Sequence, residues 1–493
     1  MTTMRPTTSR PTAAPLARRI TRRAARVTAA VLLATTGASC FSDGLLNVDP
    51  NRSTTADPAL LFTAAEVKFS LLRAGELTWP IALMSQMWAS GGRWGLEQAR
   101  YDQTRVRSAW GSIYTEVLKN LVLATNDASA RSPKPNNSIA QLKIYTAFVY
   151  SQTTYLWGDI PFSEAADGKV DFPKFDSQQD VLNGSIKLLD EAMASIDASS
   201  ARIGAPNDLY YGGDMTKWRR FANSLKFRIL MTMVDADPSK AAAIGAMSTQ
   251  PMIAAVADEM KFPYFDSPGR QNPRFSFTAI FRGGVQSDWY ASNVMFNEMR
   301  PLNDPRLPVF FQTGPGAPAG AFVSLDPVEQ YNPVTSSLVN LGLLRANLPE
   351  VSFSYSEQLL LEAEANARGF WQGGLAAADS RYRAGVRESM AGVGVSGAAI
   401  TTYVNNLPAL TGGNFRRELN RQQWIDLFMR PADAWVQWRR SGPAGQEYPA
   451  MTVPQGALST NLMRRLLYRS EEINSNPNTP TGILLDRPLW FDK

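Results

Sequence analysis

The sequence predicts an all-α dominated fold: a tetratricopeptide-like helical-repeat superhelix with a large loop-rich irregular portion. Three observations carry this expectation. Apolar residues recur at helical spacing over runs of roughly twenty residues, with short breaks between runs. The runs come in pairs, as in helical repeats, although no strict repeat period is readable. Between residues 250 and 350 the stripes give way to Pro, Gly, Asn and aromatic residues.

The helical signal begins at Asp57-Pro58, a capping carboxylate followed by proline at the first helical position. That helix runs through Leu72. A second is expected between Trp79 and Ser90, where Gly91-Gly92 breaks it. A third, over 104–126, aligns Val106, Trp110, Ile113, Val117, Leu121 and Ala124 on one stripe. A fourth, over 137–157, aligns Ile139, Leu142, Tyr145, Val149, Gln152 and Leu156. It ends at Gly158, which can take the left-handed conformation that closes a helix, and Pro161 keeps Ile160 out of the helical region. A fifth helix over 178–196 uses Val181, Ser185, Leu188, Ala192 and Ile196. A sixth follows Asp214, its cap, with Trp218, Phe221, Ala222, Leu225 and Ile229 inward.

The stretches FPYFDSPGRQNPRFSF (262–277) and QTGPGAPAGAF (312–322) mark the irregular portion, with one short helix expected over 291–299. A segment of this length inside a compact protein is usually functional or interface-forming. Helices return over 354–368, 375–390, 400–406 and 418–428, with a short one after Pro431; the tail from Arg465 reads as irregular. Trp218, Trp424, Trp435 and Trp438 stand at helical spacings and are expected in the core. Arg439 and Arg440 are expected to face the negative pole of their helix.

The 493 residues are 44% hydrophobic and 19% charged, a composition suited to a soluble globular protein. There is no His, which excludes His-based triads and His zinc sites. The single cysteine, Cys40, excludes an intrachain disulfide and a cysteine metal cluster. No loop has the regular acidic spacing of a calcium site, and no cofactor is called for. Residues 1–39 contain seven Arg and no acid; without them the formal charge falls from +6 to −1. A near-neutral mature chain gives no reason to expect a nucleic-acid partner.

Those first residues have the layout of an export signal: basic to Arg26, apolar from Val27 to Thr36, then Gly37-Ala38-Ser39 before Cys40. The apolar run is too short to span a bilayer. The cysteine directly after the small residues resembles a bacterial lipoprotein cleavage box, in which the Cys40 thiol is lipidated. Gly37 departs from the commoner Leu. Acyl chains contribute about 0.8 kcal/mol per buried methylene and would hold the protein on a membrane.

Several further segments, in order, resemble the SusD-like branch of the SusD/RagB outer-membrane lipoproteins. They are YLWGDIPF (155–162), DLYYGGDMTKWRRFANSLKFRILM (208–231), DPRLPVFF (304–311), SYSEQLLLEAEANARGF (354–370), QQWIDLFMRPADAWVQWRR (422–440) and RRLLYRSEEINSNPNT (464–479). The resemblance implies a mostly helical lipoprotein on the outer face of the outer membrane. Its tetratricopeptide-like half would pack on a SusC-type TonB-dependent barrel transporter, and its irregular half would hold ligand. Members of this family capture oligosaccharides, or in some cases peptides, and do not cleave them. The expected organisation is a signal peptide (1–39), a lipidated tether (40–56), an N-terminal helical-repeat part (57–249), an irregular ligand-side part (250–350) and C-terminal helices with an irregular tail (351–493), the last three packed as one domain.

A glycan platform needs flat aromatic faces for the apolar C–H faces of sugars, with amide, acid and Arg groups nearby for the hydroxyls. Three stretches have that composition on expected loops. Trp94 lies with Arg93, Gln98 and Tyr101 in GGRWGLEQARY; Trp289 and Tyr290 lie with Asp288 and Asn293 in QSDWYASN; Phe275 and Phe277 lie near Arg270 and Gln271. For each aromatic, packing under a loop is the competing role. Two other classes compete with capture. A glycoside hydrolase needs a carboxylate pair, for which Glu357, Glu362 and Glu364 are the nearest candidates, although they sit among packing residues. A pure protein-binding scaffold would bind no soluble ligand.

Overall fold

The computed structural model describes residues 57–90, 93–283, 287–329, 331–443 and 445–492. The export signal, Cys40 and the tether lie outside the described residues.

Asp57 opens the first helix, Pro58–Ala74, by accepting from Ala59 N at 3.0 Å, with Pro58 where a missing N–H costs nothing. The expected second helix stops at Met84, and Trp88–Ser90 is instead a strand, β1. The third is composite: a 3-10 turn at Thr104–Val106, α-helix at Arg107–Ser112, a π turn at Ile113–Leu118, then α-helix at Lys119–Ala130. The next three are Asn136–Trp157, Gln178–Ser195 and Met215–Met233. Ser177 and Asp214 cap the last two through their side-chain oxygens; Asp214 is the cap expected from the sequence.

These helices pack on their neighbours in sequence. Asn136–Trp157 lies against Gln178–Ser195, and Gln178–Ser195 against Met215–Met233. In the C-terminal part Tyr355–Ala367 packs on Gly374–Gly392, which carries Gly397–Asn406; Phe415–Asp426 and Pro431–Arg439 follow. The tail has a short helix, Ser470–Ser475, where none was expected. The central helix Asn136–Trp157 is buried on almost every side. Gly158 closes it at φ +86° and ψ −122°, which is not the left-handed helical conformation expected but another positive-φ conformation that residues with a Cβ avoid. A Cβ there would sit 2.8 Å from Leu489 Cδ2.

Trp218, Trp424, Trp435 and Trp438 are all at most 1% exposed. Arg440 is the C-cap of the helix Pro431–Arg439, and its side chain also donates to both oxygens of Glu364, at 3.0 and 2.7 Å. Arg439 is buried, stacked over Trp435 at 4.1 Å and donating to the Arg464 carbonyl at 2.7 Å. Buried arginines join distant helices elsewhere too. Arg73 reaches Glu350 at 2.8 Å and Asp433 at 2.9 Å, and Arg430 and Arg228 both pair with Glu357.

The 250–350 portion is less irregular than its composition predicts. It holds the helices Pro273–Arg282 and Asn293–Met299 and short strands: β2 (Met260–Phe262), β3 (Trp289–Ala291), β4 (Phe311–Gln312), β5 (Leu338–Val339) and β6 (Glu350–Phe353). One antiparallel sheet has the order β1-β3-β5-β4; β2 pairs with β6. The register Ser90↔Trp289 and Trp88↔Ala291 ties the early chain to the middle of the sequence. Among the described residues no helix is long and apolar enough to cross a membrane, and no group of three or more metal-ligating side chains could hold an ion.

Candidate functional site

The sheet and the helices beside it gather a group of aromatic rings. Trp88 and Trp289, from the paired strands β1 and β3, have ring centroids 6.0 Å apart. Trp79, which opens the helix Trp79–Met84, stacks on Trp289 at 5.4 Å with 22° between planes. Phe277, from the helix Pro273–Arg282, stacks on Trp289 at 5.1 Å and 27°, and lies 5.6 Å from Trp79. Trp289 is 4% exposed and acts as the backing of the group; Trp79 and Phe277 are half-buried and present ring surface.

These rings line a cleft of about 380 Å³ with a polar rim of Glu76, Thr104, Arg105, Ser108 and Arg274. The volume is within the range of small-ligand sites, and aromatic walls with a few convergent polar groups are their usual lining. Glu76 Oε1 accepts from the Ser108 hydroxyl at 2.6 Å and from Ala109 N at 2.7 Å, which fixes the rim to the start of the helix Arg107–Ser112. Arg274 is 6% exposed, donates from Nη2 to the Thr78 hydroxyl at 3.1 Å, and is pushed down to about 10 by burial. It also borders a second groove, of about 540 Å³, which runs past Lys261, Asn340, Arg345 and Ser354.

The sequence-selected residues separate. Trp289 and Phe277 come together in the cleft. Tyr290 does not: one residue further along the strand, it points to the opposite face, where it packs on Tyr331 at 4.9 Å and is 2% exposed. Asp288 is half-buried outside the cleft lining. Asn293 is held at the start of its helix, donating to Asp326 at 2.6 Å and accepting from the Ser324 hydroxyl. Gln98 and Tyr101 are each 1% exposed, so they lie inside rather than on a platform. Tyr101 borders a separate 180 Å³ pocket with Trp110 and Trp157, and burial pushes its hydroxyl up to about 12. Arg93 and Trp94 begin the helix Arg93–Ala99, not a loop; their side chains lie outside the described residues. Phe275 stays outside the cleft lining, and Arg270 stacks over Phe265 at 4.3 Å.

Trp79, Glu76 and Arg274 were not selected from the sequence. Trp79 carried a signal, an aromatic beside Pro80 at a helix start, where the backbone is held in place. Of the acids considered for hydrolysis, Glu357 is bonded to Arg228 and Arg430, and Glu364 to Arg440 and Arg368. Glu364 would be raised by burial, but Arg440 beside it overrides this and brings it down to about 2.

Comparison with solved structures places the fold. A chitin-binding protein superposes with a TM-score of 0.77 at 23% identity, over 89% of this chain and 100% of its own. A SusD-like protein of Bacteroidetes AC2a gives a TM-score of 0.77 at 20% identity over the same shares. A SusD homologue of Bacteroides uniformis ATCC 8492 gives 0.69 at 20%, again over 89% and 100%. No curated protein matches the sequence. The family model described as starch-binding and associating with outer membrane matches residues 50–469, and the chain therefore belongs to this SusD-like family of binding proteins.

Proposed function

We propose that the protein is a lipid-anchored subunit on the outer face of the outer membrane that captures oligosaccharides and passes them to a SusC-type TonB-dependent barrel transporter. Cys40 carries the lipid, residues 41–56 are the tether, and the ligand side is built around the 250–350 portion. The observation that carries this reading is the stack of Trp79, Phe277 and Trp289 in a polar-rimmed cleft. Flat rings accept the apolar faces of sugars, and the rim groups exchange hydrogen bonds with hydroxyls. Starch binding in the family description and chitin binding in a structural relative agree with a saccharide ligand. Capture rather than cleavage is supported by Glu357 and Glu364, whose carboxylates are committed to arginines in the core.

The test is titration calorimetry of the purified protein against oligosaccharides and peptides, with pull-down of the barrel partner. Oligosaccharide binding that falls in Trp79→Ala supports the reading. Binding of peptides alone, or of no soluble ligand while the barrel still associates, replaces it with peptide uptake or with a scaffold.

A further inference from the structure

Arg274 is a buried cation in an unusual position. Most buried arginines in this protein are bonded to carboxylates, as Arg73 is to Glu350 and Asp433, Arg440 to Glu364 and Arg306 to Asp304, while Arg439 and Arg465 donate to backbone carbonyls. Such pairing offsets the large cost of removing a charge from water. Arg274 is bonded instead to a neutral hydroxyl, that of Thr78, and its Nε has no hydrogen-bond acceptor. The acid that acts on it through space, Glu350, has its two oxygens taken by Arg73 and by the Ser352 hydroxyl. Arg274 stands one helical turn before Phe277 on the helix Pro273–Arg282, so both project to the same side, and both line the cleft.

We propose that the cleft selects saccharides bearing an anionic group, a uronate carboxylate or a sulfate ester, and that Arg274 recognises that group. This rests on the saccharide-capture reading and narrows its substrate class. A sugar ring against Trp79 and Phe277 brings its substituents toward Arg274, whose side chain lines the same cleft and has no carboxylate bonded to it. Arg105 on the same rim adds positive charge. The one acid of the lining, Glu76, has Oε1 occupied by Ser108 and by Ala109 N. A charge-assisted bond in a partly dry site is stronger than a neutral one, and the Thr78 hydroxyl holds the guanidinium in place.

The experiment is calorimetry on the full chain with oligogalacturonate and chondroitin sulfate oligosaccharides against maltohexaose and chitohexaose, in low and high salt. The expected result is at least tenfold tighter binding of an acidic oligosaccharide than of either neutral one, with the gap narrowing in high salt. Preference for oligogalacturonate assigns the carboxylate; preference for chondroitin sulfate alone assigns the sulfate. Arg274→Gln should remove the preference while weak binding to neutral oligosaccharides persists, and Arg274→Lys should retain part of it. Arg345→Gln, which alters the neighbouring groove and not the cleft, should leave the preference intact. Equal or tighter binding of neutral oligosaccharides by the unaltered protein overturns the inference and leaves saccharide capture standing, and this outcome depends on no variant being folded. An acidic preference unchanged in a folded Arg274→Gln protein overturns the role of Arg274. Failure of every oligosaccharide to bind removes the capture reading itself.

Discussion

Trp79 and Trp289 stack at 5.4 Å with their planes 22° apart, although one opens an early helix and the other lies on a strand from the middle of the chain. Their contact builds the aromatic wall of the cleft, with Trp289 buried and Trp79 half-exposed. The two should therefore respond differently to truncation. Trp289→Ala should cost about 3–5 kcal/mol of stability, as for a buried large-to-small change. Trp79→Ala should cost less in a urea titration and act mainly on ligand affinity.

Asp208 organises the turn before the helix Met215–Met233. Its Oδ2 accepts from Gly213 N at 2.7 Å, Trp218 Nε1 at 2.7 Å and Gln141 Nε2 at 3.0 Å, while Oδ1 accepts from Tyr210 N and Tyr211 N. Asp208→Ala leaves several buried donors without partners. The expected loss is about 3 kcal/mol or more, read as a lowered urea midpoint.

Two buried acids give stability opposite dependences on pH. Burial raises Glu364, but Arg440 and then Arg368 outweigh it and hold the group at about 2. Its folded value is below its unfolded one, so its stabilisation is complete above about pH 4.5 and is lost as pH falls toward 2. The full effect is about 3 kcal/mol. Burial raises Asp492 to about 6, against the pull of Arg464. Its folded value is above its unfolded one, so its contribution declines as pH rises from about 4 to about 6. Melts across pH 2–7 should show Glu364→Gln flattening the acid limb and Asp492→Asn flattening the decline between pH 4 and 6.

Gly158 combines a positive φ with a close approach to Leu489 and Arg465. Gly158→Ala meets both backbone strain and a 2.8 Å contact, so a loss of about 2–3 kcal/mol is expected from unfolding curves. The tail that carries Leu489 should become easier to cleave by protease at the same time.

Cys40→Ser should release the protein from the membrane fraction of the native host and abolish incorporation of labelled fatty acid. Retention of membrane label in that variant would contradict the lipid anchor.

The helices were legible because caps and stripes agree at the same positions: Asp57 and Asp214 each stand directly before an apolar period. The strands were not, since β1 and β3 hold three residues each, too few for alternation to be read, and their pairing is non-local. That pairing decides the site. It turns Trp289 toward the cleft and Tyr290 away from it, although composition alone treats the neighbours alike. Trp79 joins the wall through tertiary packing, which its own sequence neighbours do not encode. Arg274 stands out for a partner it lacks, a property that exists only once the surrounding carboxylates have been placed.

The most direct measurement is calorimetric titration of an oligosaccharide panel into the unaltered protein and into Trp79→Ala, with melting temperatures as a control for folding. Oligosaccharide binding that weakens at least tenfold in a folded Trp79→Ala protein is the predicted result, corresponding to about 1.4 kcal/mol or more. Undiminished oligosaccharide binding in that variant would contradict the aromatic cleft as the capture site.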